Sequence, residues 1–249
     1  MGLAHRIIPS LLFNGDKLIK GKRFDGWRSV GHVVQAAKIY GQRAADEIIL
    51  LDIGATPEGR GPNLKVVEKI ADHFFTPLTV GGGVRTIDDV RDLLKAGADK
   101  VSINTAAMTS PNLIQDVAEK FGSQAIVVAI DVKDGKPMTK CGTESPVAWG
   151  PMGCALWASQ RGAGEIMLTS IDREGTMNGY DLALIESVSK SVQVPVIAHG
   201  GCKDYADMAK AIEAGASAVA AGALFAFTDC TPRSAARYLS GVGIEARVI

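Results

Sequence analysis

The sequence predicts a single α/β domain, a (β/α)8 barrel made of two similar halves, and three observations lead there. The chain has 249 residues, about the usual size of one such barrel and enough to bury a large core. Eight short runs rich in Val, Ile or Leu alternate with amphipathic stretches, the pattern of a parallel sheet covered on both faces. One segment also repeats: "TVGGGVRTIDDVRDLLKAGADKVSINTAA" (79–107) lies on "IAHGGCKDYADMAKAIEAGASAVAAGALF" (197–225). In that alignment Gly82 meets Gly200, Gly83 meets Gly201, Ala96 meets Ala214, Gly97 meets Gly215 and Val101 meets Val219. At the same offset Glu47-Ile48 meets Glu165-Ile166. Chance similarity of βα units is the alternative. The simplest reading is one domain, 1–249, with half-barrel repeats at about 1–120 and 121–249 and twofold pseudosymmetry; a doubly wound open sheet is the competing architecture.

Taken in order, the predicted strands are 7–13, 47–53, 77–82, 100–104, 125–131, 165–171, 195–200 and 218–223. Helical patterns lie between them. In "SPNLIQDVAEKF", Ser110 is placed as N-cap and Pro111 at the first helical position, with Leu113, Ile114, Val117, Ala118 and Phe121 on one face. In "NLKVVEKIADHF", Leu64, Val67, Ala71 and Phe74 share a face in the same way.

Composition narrows the function. Lys+Arg and Asp+Glu balance at 27 each, which gives no support for a nucleic-acid partner or a polyanionic surface. The four cysteines, Cys141, Cys154, Cys202 and Cys230, form no CxxC pair. That argues against a zinc site or a disulfide framework and fits a reducing compartment. The histidines, His5, His32, His73 and His199, show no HExxH spacing. No run approaches about 18 uninterrupted apolar residues, and the N-terminus carries no signal-like segment. A cytoplasmic protein is expected, with no membrane contact and no metal or cofactor.

The strand ends carry the chemistry. Gly81-Gly82-Gly83 follows the third strand and Gly200-Gly201 the seventh. Glycines there let the backbone approach an anion, and a following helix N-terminus offers free N–H groups. Asn104-Thr105 and Gly222-Ala223, at the ends of strands four and eight, flank these turns. Two phosphate sites facing each other across the barrel mouth imply a substrate with a phosphate at each end; tight βα turns without a ligand are the alternative. Asp131 ends the fifth strand, where a carboxylate can act as general acid or base. Asp52 ends the second strand, and Thr169-Ser170 the sixth. The loop "DREGTMNGYD" (172–181), which begins at Asp172, is long enough to cover a ligand. Each acid also reads as a helix cap or loop charge. At the opposite end, Arg6, Glu47, Lys100 and Glu165 each precede an apolar strand. They form either a neutral ring or an ordinary bottom-face salt-bridge network.

The stretches "LTVGGGVRTIDDVRDLLKAGADKVSINTAA", "FGSQAIVVAID" and "GAGEIMLTSIDREGTMNGYDL" resemble the cyclase subunit family of imidazole glycerol phosphate synthase, over nearly the whole chain. The resemblance implies a barrel that partners a class I glutaminase, takes ammonia in at its bottom and uses it at the top on a phosphorylated small molecule. It implies an ammonia gate at Arg6, Glu47, Lys100 and Glu165, a catalytic aspartate at Asp131, a substrate-loop lysine at Lys20, and phosphate turns at the glycines above. Asp52, Thr169 and Asp172 are further candidates for substrate contact. The sequence departs from the family in three places. The family's first catalytic aspartate follows "RIIPCL", whereas here "RIIPSL" is followed by Leu12. His199 stands where a serine precedes the double glycine, and Gly54 where a threonine follows "LDI". The ending "AAGALFAF" and Leu12 look more like a paralogous branch that serves amidation of sugars for surface polysaccharides. That paralogue is the preferred expectation. The alternatives are the cyclase of histidine biosynthesis, which joins ammonia to a bis-phosphorylated aminoimidazole-carboxamide ribonucleotide, and a non-catalytic barrel that activates a glutaminase.

Overall fold

The computed structural model describes residues 4–73, 75–110, 112–145 and 147–247. Its strands are β1 (Arg6–Asn14), β2 (Lys17–Lys22), β3 (Asp25–His32), β4 (Ile48–Asp52), β5 (Leu78–Gly81), β6 (Lys100–Ile103), β7 (Ile126–Lys133), β8 (Lys136–Met138), β9 (Glu165–Ser170), β10 (Val196–His199) and β11 (Ala218–Ala221). Eight of them coincide with the eight expected strands. They run parallel in the order β1-β4-β5-β6-β7-β9-β10-β11. Pairing of β11 with β1, from Arg6↔Ala218 to Pro9↔Ala221, closes the barrel and removes the open-sheet alternative.

The period of two along each strand sorts side chains between two cores. On β1, Ile7, Leu11 and Phe13 pack outward beneath the helices, with Val33 and Ala37 among their partners. Ile8 joins Ile49, Val127, Ala129, Met167, Ile197, Ala218 and Ala220 in a separate cluster that fills the barrel interior. The same alternation sends Arg6, Glu47, Lys100 and Glu165 to one end of the interior and Leu12, Asp131, Thr169 and His199 to the other.

Three strands lie outside the expected eight. β2 and β3 form a hairpin on β1, and β8 forms one on β7. Their turns carry legible signals: Gly15 has φ +62°, and Asp134-Gly135 has φ +49° and +72°, the positive angles of tight hairpin turns. The two hairpins that leave barrel strands start at Asn14↔Lys17 and Lys133↔Lys136, near-equivalent places in the two halves. Elsewhere local geometry recurs at the offset of 118. Thr86 accepts from Asp89 N–H as a helix cap, and Asp204 accepts from Asp207 N–H. Gly97 and Gly215 have φ +103° and +106°.

Two helix details differ from expectation. Ser110 ends the short helix Thr105–Thr109 instead of opening the next one; Leu113–Phe121 begins after Asn112, which lacks a side-chain cap, and Pro111 lies outside the described residues. The helix Leu64–Ala71 buries Val66, Val67 and Ile70, a face turned slightly from the expected one, and Phe74 also lies outside the described residues. Among the described residues, no helix is long and apolar enough to cross a membrane.

Candidate active site

At the N-terminal end of the barrel the four charged residues close into an alternating ring. Arg6 donates to Glu47 at 2.6 Å and to Glu165 at 3.0 Å; Lys100 donates to Glu47 at 2.8 Å and to Glu165 at 3.0 Å. Glu47 is fully enclosed and also accepts from the Thr79 hydroxyl at 2.5 Å. Each carboxylate bridges both cations, so the ring is neutral. Truncating one partner of a buried pair typically costs about 3–5 kcal/mol, because the other charge is left uncompensated.

At the C-terminal end lies a cavity whose wall includes Leu12, Asp52, Gly82, Gly83, Asn104, Thr105, Asp131, Thr169 and His199. Asp131 is half-buried and sits beside Thr169, its partner in the β7–β9 register. Burial pushes its pKa up to about 7; the Thr169 hydroxyl bond works against this, and the charge of Glu174 adds to it. That places a carboxyl near its midpoint at neutral pH, where a proton-transfer group is most effective. The same shift has a consequence for stability. The folded pKa lies above the ordinary value of 3.8, so ionised Asp131 opposes folding. The cost is absent below about pH 4, grows as pH rises and is complete above about pH 7. Asp131→Asn removes it. The variant is therefore expected to gain stability over wild type at pH 8 and to gain less at pH 5, measured by urea unfolding at both values.

Asp52 lines the cavity, but its oxygens are taken. Arg60 clamps it through two bonds of 2.6 and 2.8 Å, and the N–H groups of Gly54 and Ala55 donate to it at 3.2 Å. It organises the loop after β4 and is not a free base. Gly54 fits this loop because a Cβ there would lie 2.6 Å from the Asn14 side chain. Asp172 departs further from expectation: it caps the β7–β8 turn by accepting from Asp134 N–H at 2.9 Å and lines neither cavity of the barrel mouth.

The glycines divide between two cradles. Gly82 and Gly83, with φ +105° and +73°, join Asn104 and Thr105 in the main cavity. A Cβ on Gly82 would come within 2.2 Å of the Asp52 carbonyl oxygen, so only glycine fits. The Asn104 amide donates to the carbonyls of Ala129 and Met138, which holds this strand end in shape. Gly200, Gly201, Gly222 and Ala223 line a second, smaller cavity with Glu174 and Cys202. Lys20, carried in by the hairpin, is buried next to it. Its ammonium donates to the Ser10 carbonyl at 3.1 Å, and a Cβ on Gly222 would lie only 2.6 Å away. Burial lowers the Lys20 pKa to about 8, against the pull of Glu174.

Four contributors escape a reading of strand ends. Phe24 and Trp27 reach the main cavity from the β2–β3 hairpin. Arg60 carries no local signal. Glu174 lies inside the loop singled out above, but nothing in the sequence shows that it folds back to His199, 3.9 Å away.

A closed parallel barrel with a half-buried acid and glycine cradles at the C-terminal strand ends, and an ion ring at the other, defines a (β/α)8-barrel protein of the kind that builds active sites from its βα loops. Residues 6–231 match the model of the family described as "Histidine biosynthesis protein". Along all of both chains, over 271 aligned positions, the protein is 42% identical to "Imidazole glycerol phosphate synthase subunit HisF" of Methanosphaerula palustris. The chain belongs to the histidine biosynthesis protein family. This similarity favours the cyclase alternative over the expected sugar-amidation paralogue, for which the comparisons offer no support.

Proposed function

We propose that this chain is the ammonia-using, cyclase-type subunit of a glutamine-dependent synthase, paired with a glutaminase at the ion ring. The carrying observation is full-length similarity to a cyclase subunit, joined to one half-buried acid of near-neutral pKa at the barrel mouth that the two glycine cradles share. The acceptor on this reading is a small molecule with a phosphate at each end, the bis-phosphorylated aminoimidazole-carboxamide ribonucleotide. Its phosphates sit at Gly82–Gly83 with Asn104 and Thr105, and at Gly200–Gly201 with Gly222 and Ala223. Lys20 stands beside the second of these, and Asp131 and Thr169 face the ring being built. The test is purified protein with ammonium and that ribonucleotide, followed by release of imidazole glycerol phosphate.

A second reading rests on one observation. Leu12 occupies the cavity wall at the strand end where the family resemblance implies a carboxylate. If ammonium and ribonucleotide give no product while the barrel still stimulates a glutaminase, ammonia serves another acceptor, as in sugar amidation.

The ring at Arg6, Glu47, Lys100 and Glu165 is the proposed passage for ammonia. Lys100→Ala or Glu165→Ala is expected to lower glutamine-dependent turnover several-fold more than ammonium-dependent turnover. Free ammonia reaches the cavity from the open top, whereas ammonia from a docked glutaminase must cross the ring. Equal loss in both assays marks the ring as structural.

A further inference from the structure

Four polar side chains stand in line at the cavity floor and join its acid to a second carboxylate. The Thr169 hydroxyl is bonded to Asp131 on one side and lies 3.1 Å from His199 Nδ1 on the other. His199 Nε2 points to Glu174 Oε2 at 3.9 Å, and the two side chains are only 2% and 8% exposed. That nitrogen is buried without a hydrogen-bond partner, an arrangement that buried polar groups rarely keep. An approach of about 1 Å by Glu174 makes the missing bond. His199 is held neutral, since burial lowers its pKa and Lys20 adds to this against the opposing pull of Glu174. A neutral imidazole between two oxygens can take a proton at one nitrogen and release it at the other.

We propose that Asp131 and Glu174 share one proton through Thr169 and His199, so that Glu174 supplies the second acid–base group that Leu12 cannot. In one state Asp131 is protonated and donates to Thr169 Oγ1, the Thr169 hydroxyl donates to His199 Nδ1, and Nε2–H faces the Glu174 carboxylate. In the other state Nε2 has passed its proton to Glu174, Nδ1 has taken the Thr169 proton, and Thr169 has taken that of Asp131. Each O–H or N–H bond broken is matched by one formed, and no external donor is required. Asp131 thereby alternates between acid and base while the proton is stored out of reach of solvent. His199 and Thr169 are positioning residues in this scheme. The part the relay plays in turnover rests on the cyclase-type reading above; the relay itself does not.

Other charged or titratable groups face this line. Lys20 and Tyr180 interact with the charge of Glu174, and Cys141 feels the charges of Asp131 and Asp52. The test therefore reads His199 directly. Protein labelled with 15N-histidine is titrated from pH 6 to pH 8, with His199 assigned by its loss in His199→Gln. While the proton is shared, the ring shifts are expected to average the Nε2–H and Nδ1–H tautomers, and to settle on a single tautomer as pH rises and both carboxylates ionise. That exchange should vanish in Asp131→Asn and Thr169→Val and persist in Thr169→Ser. Glu174→Gln is expected to lower ammonium-dependent kcat about tenfold or more, with a shifted pH profile and little change in KM. A single His199 tautomer across this range in wild type, or an unchanged titration in Thr169→Val, overturns the proposal. Tautomer exchange in a protein that does not convert the ribonucleotide supports the relay and rejects the cyclase-type reading instead.

Discussion

Asp131→Asn is expected to lower ammonium-dependent turnover by about 10²–10⁴-fold, the usual contribution of one positioned acid–base group. Substrate affinity should hold, because the glycine cradles are formed by backbone that the substitution leaves untouched. Asparagine keeps the size of the side chain and can still bond to Thr169, but it cannot exchange a proton. The measurement is kcat and KM with saturating ammonium, so that glutaminase coupling does not enter. A fall in kcat with KM nearly constant identifies the group as one that acts in the transition state. A rise in KM alone would mean that Asp131 merely binds. The same substitution is expected to stabilise the fold at pH 8, and opposite signs on rate and stability are the signature of a group kept for function.

Leu12→Asp is the second large effect. Leu12 is buried at the end of β1, in register with Leu51 on β4, and its side chain faces the same cavity as Asp131. Wild-type protein is expected to convert the ribonucleotide slowly, because leucine offers no proton where the family resemblance implies an acid and the relay from Glu174 reaches the cavity only through Asp131. A carboxylate at this position should raise ammonium-dependent turnover by up to about 10²-fold, the lower end of what such a group contributes. The gain comes at a cost in stability, since an acid placed among apolar neighbours is desolvated without a partner. The assay compares wild type with Leu12→Asp at equal folded fraction, established by near-UV circular dichroism. Fast wild-type turnover, with no gain in the variant, would show that position 12 needs no acid.

Much of this molecule follows from its sequence alone. Eight apolar runs spaced by amphipathic stretches determine a parallel barrel, because such strands must be covered on both faces and the chain has the length to close. The placement of Asp131 at the open end and of Arg6, Glu47, Lys100 and Glu165 at the other also follows. Strand direction and a period of two fix which end and which face each residue takes. The glycine turns are legible for the same local reason, a positive φ that other residues resist.

What only the tertiary structure decided lies between elements distant in sequence. By position Asp52 reads equally as a substrate contact or as a cap or loop charge; Arg60 returns across the loop and pairs with it, a contact that no periodicity encodes. Asp172 opens the loop expected to cover a ligand, and it caps a hairpin turn instead. His199 stood out only as an unusual residue before a double glycine. Its meaning came from Thr169, one strand away, and from Glu174, in a loop that folds back over the strand ends. Such contacts arise from barrel closure and loop packing, which bring neighbours together by geometry and not by spacing along the chain. A strand end is therefore visible in sequence, whereas the network that sets its protonation exists only in the folded protein.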